Sequence, residues 1–426
     1  MTTFILKKIG YGLLVLWGVV TLVFSIFSIN PGDPAAMLLG QRADEEAIER
    51  VRRELGLDLP WHQRYLLYLN DVSPISFHGT EPENRTYLDE EKYNYTQLLE
   101  VGETAIVVKT PYLRRSYQSR KKVSEIIAEA LPGTIILAVS AITFALVLGI
   151  LIGVLTAVNR GRFIDGFSLF SAVLGMSAPS FFSAIIISWI GGFLWAAQTR
   201  LPMIPIVLGL LGLILSFAGK RRSVIKSVEW TIGGALAGLA LLVLSSLSET
   251  LFNFGFVPFS QAVVLLPGTG LDMTGSLYEV DVFTGEYLAL ENLILPMITL
   301  GVRPLAIVVQ LTRNALLEEL SKDYTRTARA KGLSENAVVF RHALRNALNP
   351  VVTAISGWFA SMLAGAVFVE FVFNWKGLGL QVFRSLQNDD FPVVMGSVLV
   401  IAAAFVVINI FVDVIYGLLD PRVRIS

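Results

Sequence analysis

The sequence predicts an all-α membrane protein with about eight transmembrane helices. Three observations lead there. Of the 426 residues, 54 % are apolar and only 16 % are charged, whereas a soluble chain carries roughly a quarter charged residues. Apolar runs recur at about 9–30, 134–158, 167–197, 201–218, 231–248, 293–312, 351–371 and 394–418. A span needs about 20 apolar residues, and in lipid such a run must satisfy its own backbone hydrogen bonds, so each should be helical. The third observation is the charge of the loops, which segregates as the chain is followed.

Lys7 and Lys8 precede the first run, from Ile9 to Ile29. It is longer than a signal-peptide core and no small-x-small cleavage pattern follows, so an uncleaved first helix is expected. Arg160 and Arg162 follow the second run, and Lys220, Arg221, Arg222 and Lys226 follow the fourth. The sixth leads into Arg313, Lys322, Arg326, Arg329, Lys331, Arg341 and Arg345, and the tail carries Arg422 and Arg424. Residues 249–291 hold acids and no Lys or Arg. Strict alternation places both termini and every basic loop in the cytoplasm of a multi-pass cell-membrane protein.

Segment 31–132 then lies outside. Asp44 to Gly56 reads as an amphipathic helix, with Ile48, Val51 and Leu55 on one face and Gly56 at the position after the last turn. Residues 71–110, with Pro74, Gly79, Pro82 and a charge cluster, read as irregular. Gly175, Ser177 and Pro179 interrupt the third run, and Pro296, Gly301 and Pro304 interrupt the sixth. Proline frees a carbonyl and permits a kink, so these residues are candidates for a hinge or a pathway lining. Small residues also serve plain helix packing, as in Gly149-x-x-x-Gly153 and at Gly209, Gly212, Gly234 and Gly238 of the 201–250 hairpin. Arg303 and Glu370 are expected near the outer face and Asp413 near the inner end. Such groups either contact a pathway or form structural pairs.

Several chemistries are excluded. Zero net charge argues against nucleic acid. With no Cys there are no disulfides and no thiolate metal sites, and His62, His78 and His342 show no metal-ligand spacing. No Gly-x-x-x-x-Gly-Lys-[Ser/Thr] occurs, so this chain has no phosphate loop for ATP. No catalytic residue, metal or cofactor is expected.

The most informative stretch is polar and lies between two apolar runs. It reads Asp323-Tyr-Thr-Arg-Thr-Ala-Arg-Ala-Lys-Gly-Leu333 and continues through Arg341-His-Ala-Leu-Arg-Asn-Ala-Leu-Asn-Pro350. Gly332 allows a sharp change of direction. Ala328 and Ala330 allow close approach, and Arg326, Arg329 and Lys331 form a charged rim. Read plainly, it is a basic connector that only fixes orientation.

This loop resembles the ATPase-docking loop of dipeptide/oligopeptide ABC transporter permeases. So do Pro31-Gly-Asp-Pro34, Arg53-Glu-Leu-Gly-Leu-Asp58, Gln63-Arg-Tyr65, Glu129-Ala-Leu-Pro132, Ser177-Ala-Pro-Ser-Phe181 and Leu295-Pro-Met-Ile-Thr-Leu300. Gly377-Leu-Gly379, with Glu370 and Trp375, and Asp420-Pro-Arg422, with Asn409, Asp413 and Tyr416, complete the series. The resemblance covers most of 1–200 and 265–426. It implies the transmembrane domain of a type-I ABC importer. Residues 1–132 would form a first helix and an outer segment, and 133–426 the permease domain, interrupted near 201–250. Implied partners are a second permease subunit, in a heterodimer, two ABC ATPases that use ATP–Mg, and an extracytoplasmic substrate-binding protein. The implied docking residues are Arg326, Thr327, Ala328, Arg329, Ala330, Lys331, Gly332, Leu333, Arg341, His342 and Arg345. Candidate pathway or hinge residues are Ser177, Pro179, Pro296, Arg303, Pro304 and Glu370.

Two features depart from the family pattern. The 201–250 hairpin adds two spans to a core of six, and Arg326-Thr327-Ala328 stands where permeases more broadly have Glu-Ala-Ala. Two rival classes are an ion-driven carrier, which would need inverted repeats that are not visible, and a non-transporting membrane scaffold, which would leave the docking loop without a purpose.

Overall fold

The computed structural model describes residues 2–29, 44–197 apart from scattered positions within 55–91, and 263–419 apart from 267, 282 and 284. Between these, 35, 39, 199–202, 205, 207–211 and 231–244 are described. The 31–34 motif, the basic residues 220–226 and the tail from 420 lie outside the described residues, as does most of the predicted 201–250 hairpin.

The centre of the fold is a pair of long helices, Val123–Val158 and Glu291–Ser321, that run along each other. Small residues make their closeness possible. A Cβ on Gly149 would lie 2.7 Å from Val308, one on Gly153 2.6 Å from Thr312, and one on Gly301 2.8 Å from Phe144. This is the close backbone approach that small residues permit in membranes. Asn349–Phe373 packs on both helices, and Phe391–Leu419 packs on Asn349–Phe373 and on the first helix, Thr2–Ile29. Among the described residues, four helices are long and apolar enough to span a membrane, with one bent pair as a fifth candidate.

That bent pair is the predicted third span. It breaks into Phe163–Ser177 and Ser180–Trp189, the latter extended by a π-turn over Ile190–Leu194, with a 112° bend. Ala178 and Pro179 are both extended. Proline removes an amide donor and disfavours helix for the residue before it, so the chain turns here. The second helix begins at Val123 rather than near 134, with Pro132 inside it.

Segment 71–110 corrects the sequence reading. It is not irregular but holds an antiparallel sheet of β1 (Ile75–Gly79), β2 (Tyr95–Val101) and β3 (Thr104–Lys109), in the order β1-β3-β2. Ala105, Val107 and Lys109 alternate onto the buried face of β3. The fold is therefore helical in its spans and mixed between the first and second of them. Beneath the sheet, Asp71 accepts a hydrogen bond from the Tyr93 hydroxyl at 2.8 Å. Lys92 and Arg114 approach the same carboxylate at 3.7 and 3.6 Å. Burial holds the Lys109 amine down at about 8, with Asp71 opposing and Lys92 adding to the shift.

The amphipathic helix forms as expected, over Glu45–Glu54. Gly56, at φ +69°, ends it: its amide donates to Arg53 at 3.0 Å and that of Leu57 to Arg52 at 2.8 Å. The chain leaves and returns at one place around the predicted 201–250 hairpin, because β4 (Thr199–Pro202) pairs with β5 (Val263–Leu266), Pro202 opposite Val263. Inside it, a Cβ on Gly234 would collide with the Leu208 carbonyl, so the helical stretches 207–211 and 231–244 pack together.

Candidate functional site

The 318–350 loop forms a rigid unit on the ends of two long helices. The 291–321 helix stops because Lys322 is extended, and the chain turns into a short helix, Asp323–Ala330. Thr325 is fully buried at this corner. Its hydroxyl donates to the Lys322 carbonyl at 2.7 Å, with the Leu320 carbonyl at 3.0 Å. Glu319 clamps the corner from outside, accepting from Lys322 Nζ at 2.6 Å and from the Tyr324 hydroxyl at 2.5 Å. Asn346 Nδ2 donates to that hydroxyl at 3.3 Å, so the clamp also holds the Leu344–Ala347 helix. Burial pushes the Tyr324 phenol above its ordinary range, and its bond to Glu319 adds to the effect.

Gly332 ends the short helix at φ +80°. Its amide donates to the Arg329 carbonyl at 2.9 Å and the Leu333 amide to the Ala328 carbonyl at 3.3 Å. These two bonds are a Schellman motif, which needs a left-handed residue at this point. Arg329 reaches across the turn to Glu335, with contacts at 2.8 and 3.3 Å. A π-turn over Ala337–Ala343 then brings Val339 and Ala343 down, with Ala347, onto Val154, Ala157 and Leu316. The unit is thus packed on both central helices.

Arg326, Thr327, Arg329, Ala330, Lys331, Gly332, Leu333, Arg341 and Arg345 are exposed on it, and His342 is half-buried. Ala328 is a correction. It faces inward at 6 % exposure, so its small size serves packing within the unit and not approach by a partner. Nothing lies within 4 Å of a Cβ on Gly332, so the demand there is the backbone angle rather than space. Sequence reasoning missed Phe340, which is 56 % exposed beside Arg341. An aromatic among alanines and cations was the available signal.

A second feature lies inside the bundle. A cavity of about 360 Å³ opens between the broken third span and the 291–321 and 349–373 helices. Ser180, Ser183, Thr299, Arg303, Pro304 and Trp358 are on its wall. The Arg303 guanidinium lies 5.7 Å from the centre of the Trp358 ring. Arg303 follows Glu291 by twelve residues in one helix, about 18 Å along the axis at 1.5 Å per residue. Arg303 is exposed where its side chain borders the cavity.

Of the six pathway candidates, the cavity brings together only Arg303 and Pro304. Ser177 and Pro179 flank the break beside it, where the Ser177 hydroxyl donates to the Val173 carbonyl at 2.8 Å. Pro296 is buried in the 291–321 helix. Glu370 is elsewhere and fully buried. It accepts from the Thr134 hydroxyl at 2.7 Å and the Leu380 amide at 3.0 Å, and a Cβ on Gly377 would overlap its carboxylate. Its role is to hold the turn after the 349–373 helix. Asp413 pairs with Lys8 at 2.8 Å, and Arg313 pairs with Asp165 through two bonds of 2.6 and 2.9 Å. Among the described residues no His, Asp or Glu cluster could hold a metal.

Residues 231–425 match the family described as binding-protein-dependent transport system inner membrane component, and residues 1–80 match the N-terminal region of such components. The dipeptide transport system permease protein DppB of Escherichia coli K12 is 32 % identical over 425 residues, covering 100 % of this chain and 99 % of that protein. The chain belongs to this family. Other relatives of the permease include the probable D,D-dipeptide transport system permease protein DdpB of Escherichia coli K12, 33 % identical over 98 % of this chain and 97 % of its own. The glutathione transport system permease protein GsiC of Salmonella typhimurium is 29 % identical over 100 % of this chain and 99 % of its own. Membership makes the chain a pore-forming membrane subunit of a transport system, with the fold of the type-I importers and no enzymatic step of its own.

Proposed function

We propose that this permease is one of two membrane subunits, in a heterodimer, of an ATP-driven importer of short peptides. Both termini and the 318–350 unit face the cytoplasm, where two ABC ATPases hold ATP–Mg and dock on the exposed cationic face. A binding protein delivers the solute from the other side. The observation that carries this reading is the unit's construction: a short helix with an exposed basic face, turned by Gly332 and clamped by Glu319, Tyr324 and Asn346 to the helices behind it. A push on such a face moves the 291–321 helix, whose other flank borders the cavity. ATP binding by the partners would thereby shift the population between two access states. That relatives are named for dipeptide and glutathione transport supports a peptide as the solute.

The test is Gly332→Asp in the purified full complex. Its φ of +80° strains any side chain, and the new charge faces the proposed ATPase surface. Normal membrane insertion, weakened ATPase association and lost uptake are expected. Wild-type hydrolysis stimulated by loaded binding protein, together with wild-type uptake, would return the loop to a plain basic connector. Ala328→Glu would act differently, by disrupting the unit's own packing.

A further inference from the structure

Among the described residues, Arg303 is the one cation on the wall of the 360 Å³ cavity named above, and no described carboxylate pairs with it. Two other cations of the described spans have such a partner: Lys8 has Asp413 and Arg313 has Asp165. An arginine within a membrane-spanning helix is costly unless it meets water, protein or an anion. The Trp358 face offsets part of the cost through its ring electrons, but a ring does not neutralise a charge. The hydroxyls of Ser180 and Ser183 share the wall and make no hydrogen bond with any described residue. Both belong to the helix that restarts after Pro179, whose first turn has no side-chain cap. Arg303, Ser180 and Ser183 are thus donors with spare capacity, whereas the Thr299 hydroxyl is spent on the Leu295 carbonyl at 2.8 Å, and the cavity is of the size that holds a small organic molecule.

We propose that Arg303 receives a carboxylate of the transported solute inside the membrane, with Ser180 and Ser183 as further donors and Trp358 as an apolar wall. The ligand class is a small, carboxylate-bearing solute, and for a short peptide the group read is its free C-terminus. The planar guanidinium suits a carboxylate in two-point contact. This deepens the peptide reading above and rests on it, since that reading supplies a solute with one obligatory carboxylate. Arg303 would then determine specificity inside the permease, in addition to any selection made by the binding protein.

The experiment uses the complete transporter in proteoliposomes, with labelled Ala-Phe and its C-terminal amide as probes. One binding protein serves throughout, so its own preference cancels between permease variants. Wild type should favour the free acid. Arg303→Gln should lower uptake of the acid at least tenfold while leaving the amide within about twofold. Arg303→Lys should restore much of the acid's advantage, because it keeps the charge. Equal losses for acid and amide would overturn the proposal and assign Arg303 to a structural contact, such as an acid of the second subunit. An unchanged ratio in Arg303→Gln would overturn it as well. Uptake of neither probe by wild type, despite ATP hydrolysis, would remove the peptide reading itself and this inference with it. Normal peptide uptake with an unchanged ratio would remove only the inference.

Discussion

Glu370 and Arg303 are both ionisable groups within apolar helices, and the structure treats them in opposite ways. Glu370 is fully buried, and donors from Thr134 and the 377–380 turn close around its carboxylate. Arg303 looks into a cavity with a ring on one side and unused hydroxyls on another. A polar group whose partners are supplied by the fold is part of the scaffold. One whose partners are missing is available to a ligand. The 318–350 unit repeats the contrast at one end of the bundle: Thr325 and Glu319 are enclosed by bonds, while Arg326, Lys331 and Arg341 are exposed.

The comparison is broken most directly at its closed side. Glu370→Ala leaves the Thr134 hydroxyl and the Leu380 amide without their acceptor, at about 1–3 kcal/mol for each orphaned group. A loss of about 2–4 kcal/mol is expected, read as an earlier unfolding midpoint in detergent. Wild-type stability in this variant would show that the carboxylate is not holding the turn.

The β1–β3 segment tests whether crowded cations behave as closed sites too. Lys109 titrates at about 8 in the fold and at about 10.4 when unfolded. The folded state therefore holds fewer protons between these values, and stability rises as pH climbs through that window. Burial pushes Tyr68 up to about 12 and raises Tyr93 as well. Those phenols oppose the rise only once pH passes their ordinary value of about 10. Melting temperature should increase from pH 7.5 to about 9.5 through this group, and Lys109→Met should flatten the slope. An identical slope in the variant would place the titration elsewhere.

Smaller effects separate backbone from side chain in the 318–350 unit. Gly332→Ala adds no charge and meets no neighbour, so only the left-handed angle resists it. A cost of about 1–2 kcal/mol is expected, seen as faster hydrogen exchange across 323–343 with ATPase association weakened but present. Unchanged exchange would mean that the turn tolerates a side chain. Least of all should Arg303→Gln affect stability. With no paired carboxylate to orphan, its unfolding midpoint should stay within about 0.5 kcal/mol of wild type. A larger loss would move Arg303 to the closed side of the comparison.

Much of this was legible in the chain because it depends on local chemistry. Gly56 and Gly332 end helices through backbone angles that a neighbour in sequence can signal. Pro179 breaks the third span by withholding an amide. The β1-β3-β2 sheet was hidden because β3 alternates Ala105, Val107 and Lys109 inward, and a buried lysine disguises the period. Lys109 is tolerated there because it donates to the Asp71 carbonyl at 2.7 Å, a contact 38 residues away. Phe340 was overlooked because a π-turn, not a regular helix, carries it outward.

The sequence by itself determined the membrane class, the broken third span, the glycine turn of the 318–350 loop and the lack of an ATP-binding motif. These follow from run length, backbone freedom and residue type, which act over a few positions. Only the tertiary structure decided which face of each element meets what. It turned Ala328 inward, enclosed Glu370 with donors from the 123–158 helix and the 377–380 turn, and left Arg303 facing a cavity. Whether a polar group is satisfied depends on atoms hundreds of residues away in the chain, as in the Thr134–Glu370 bond across 236 positions. No local pattern encodes that distance.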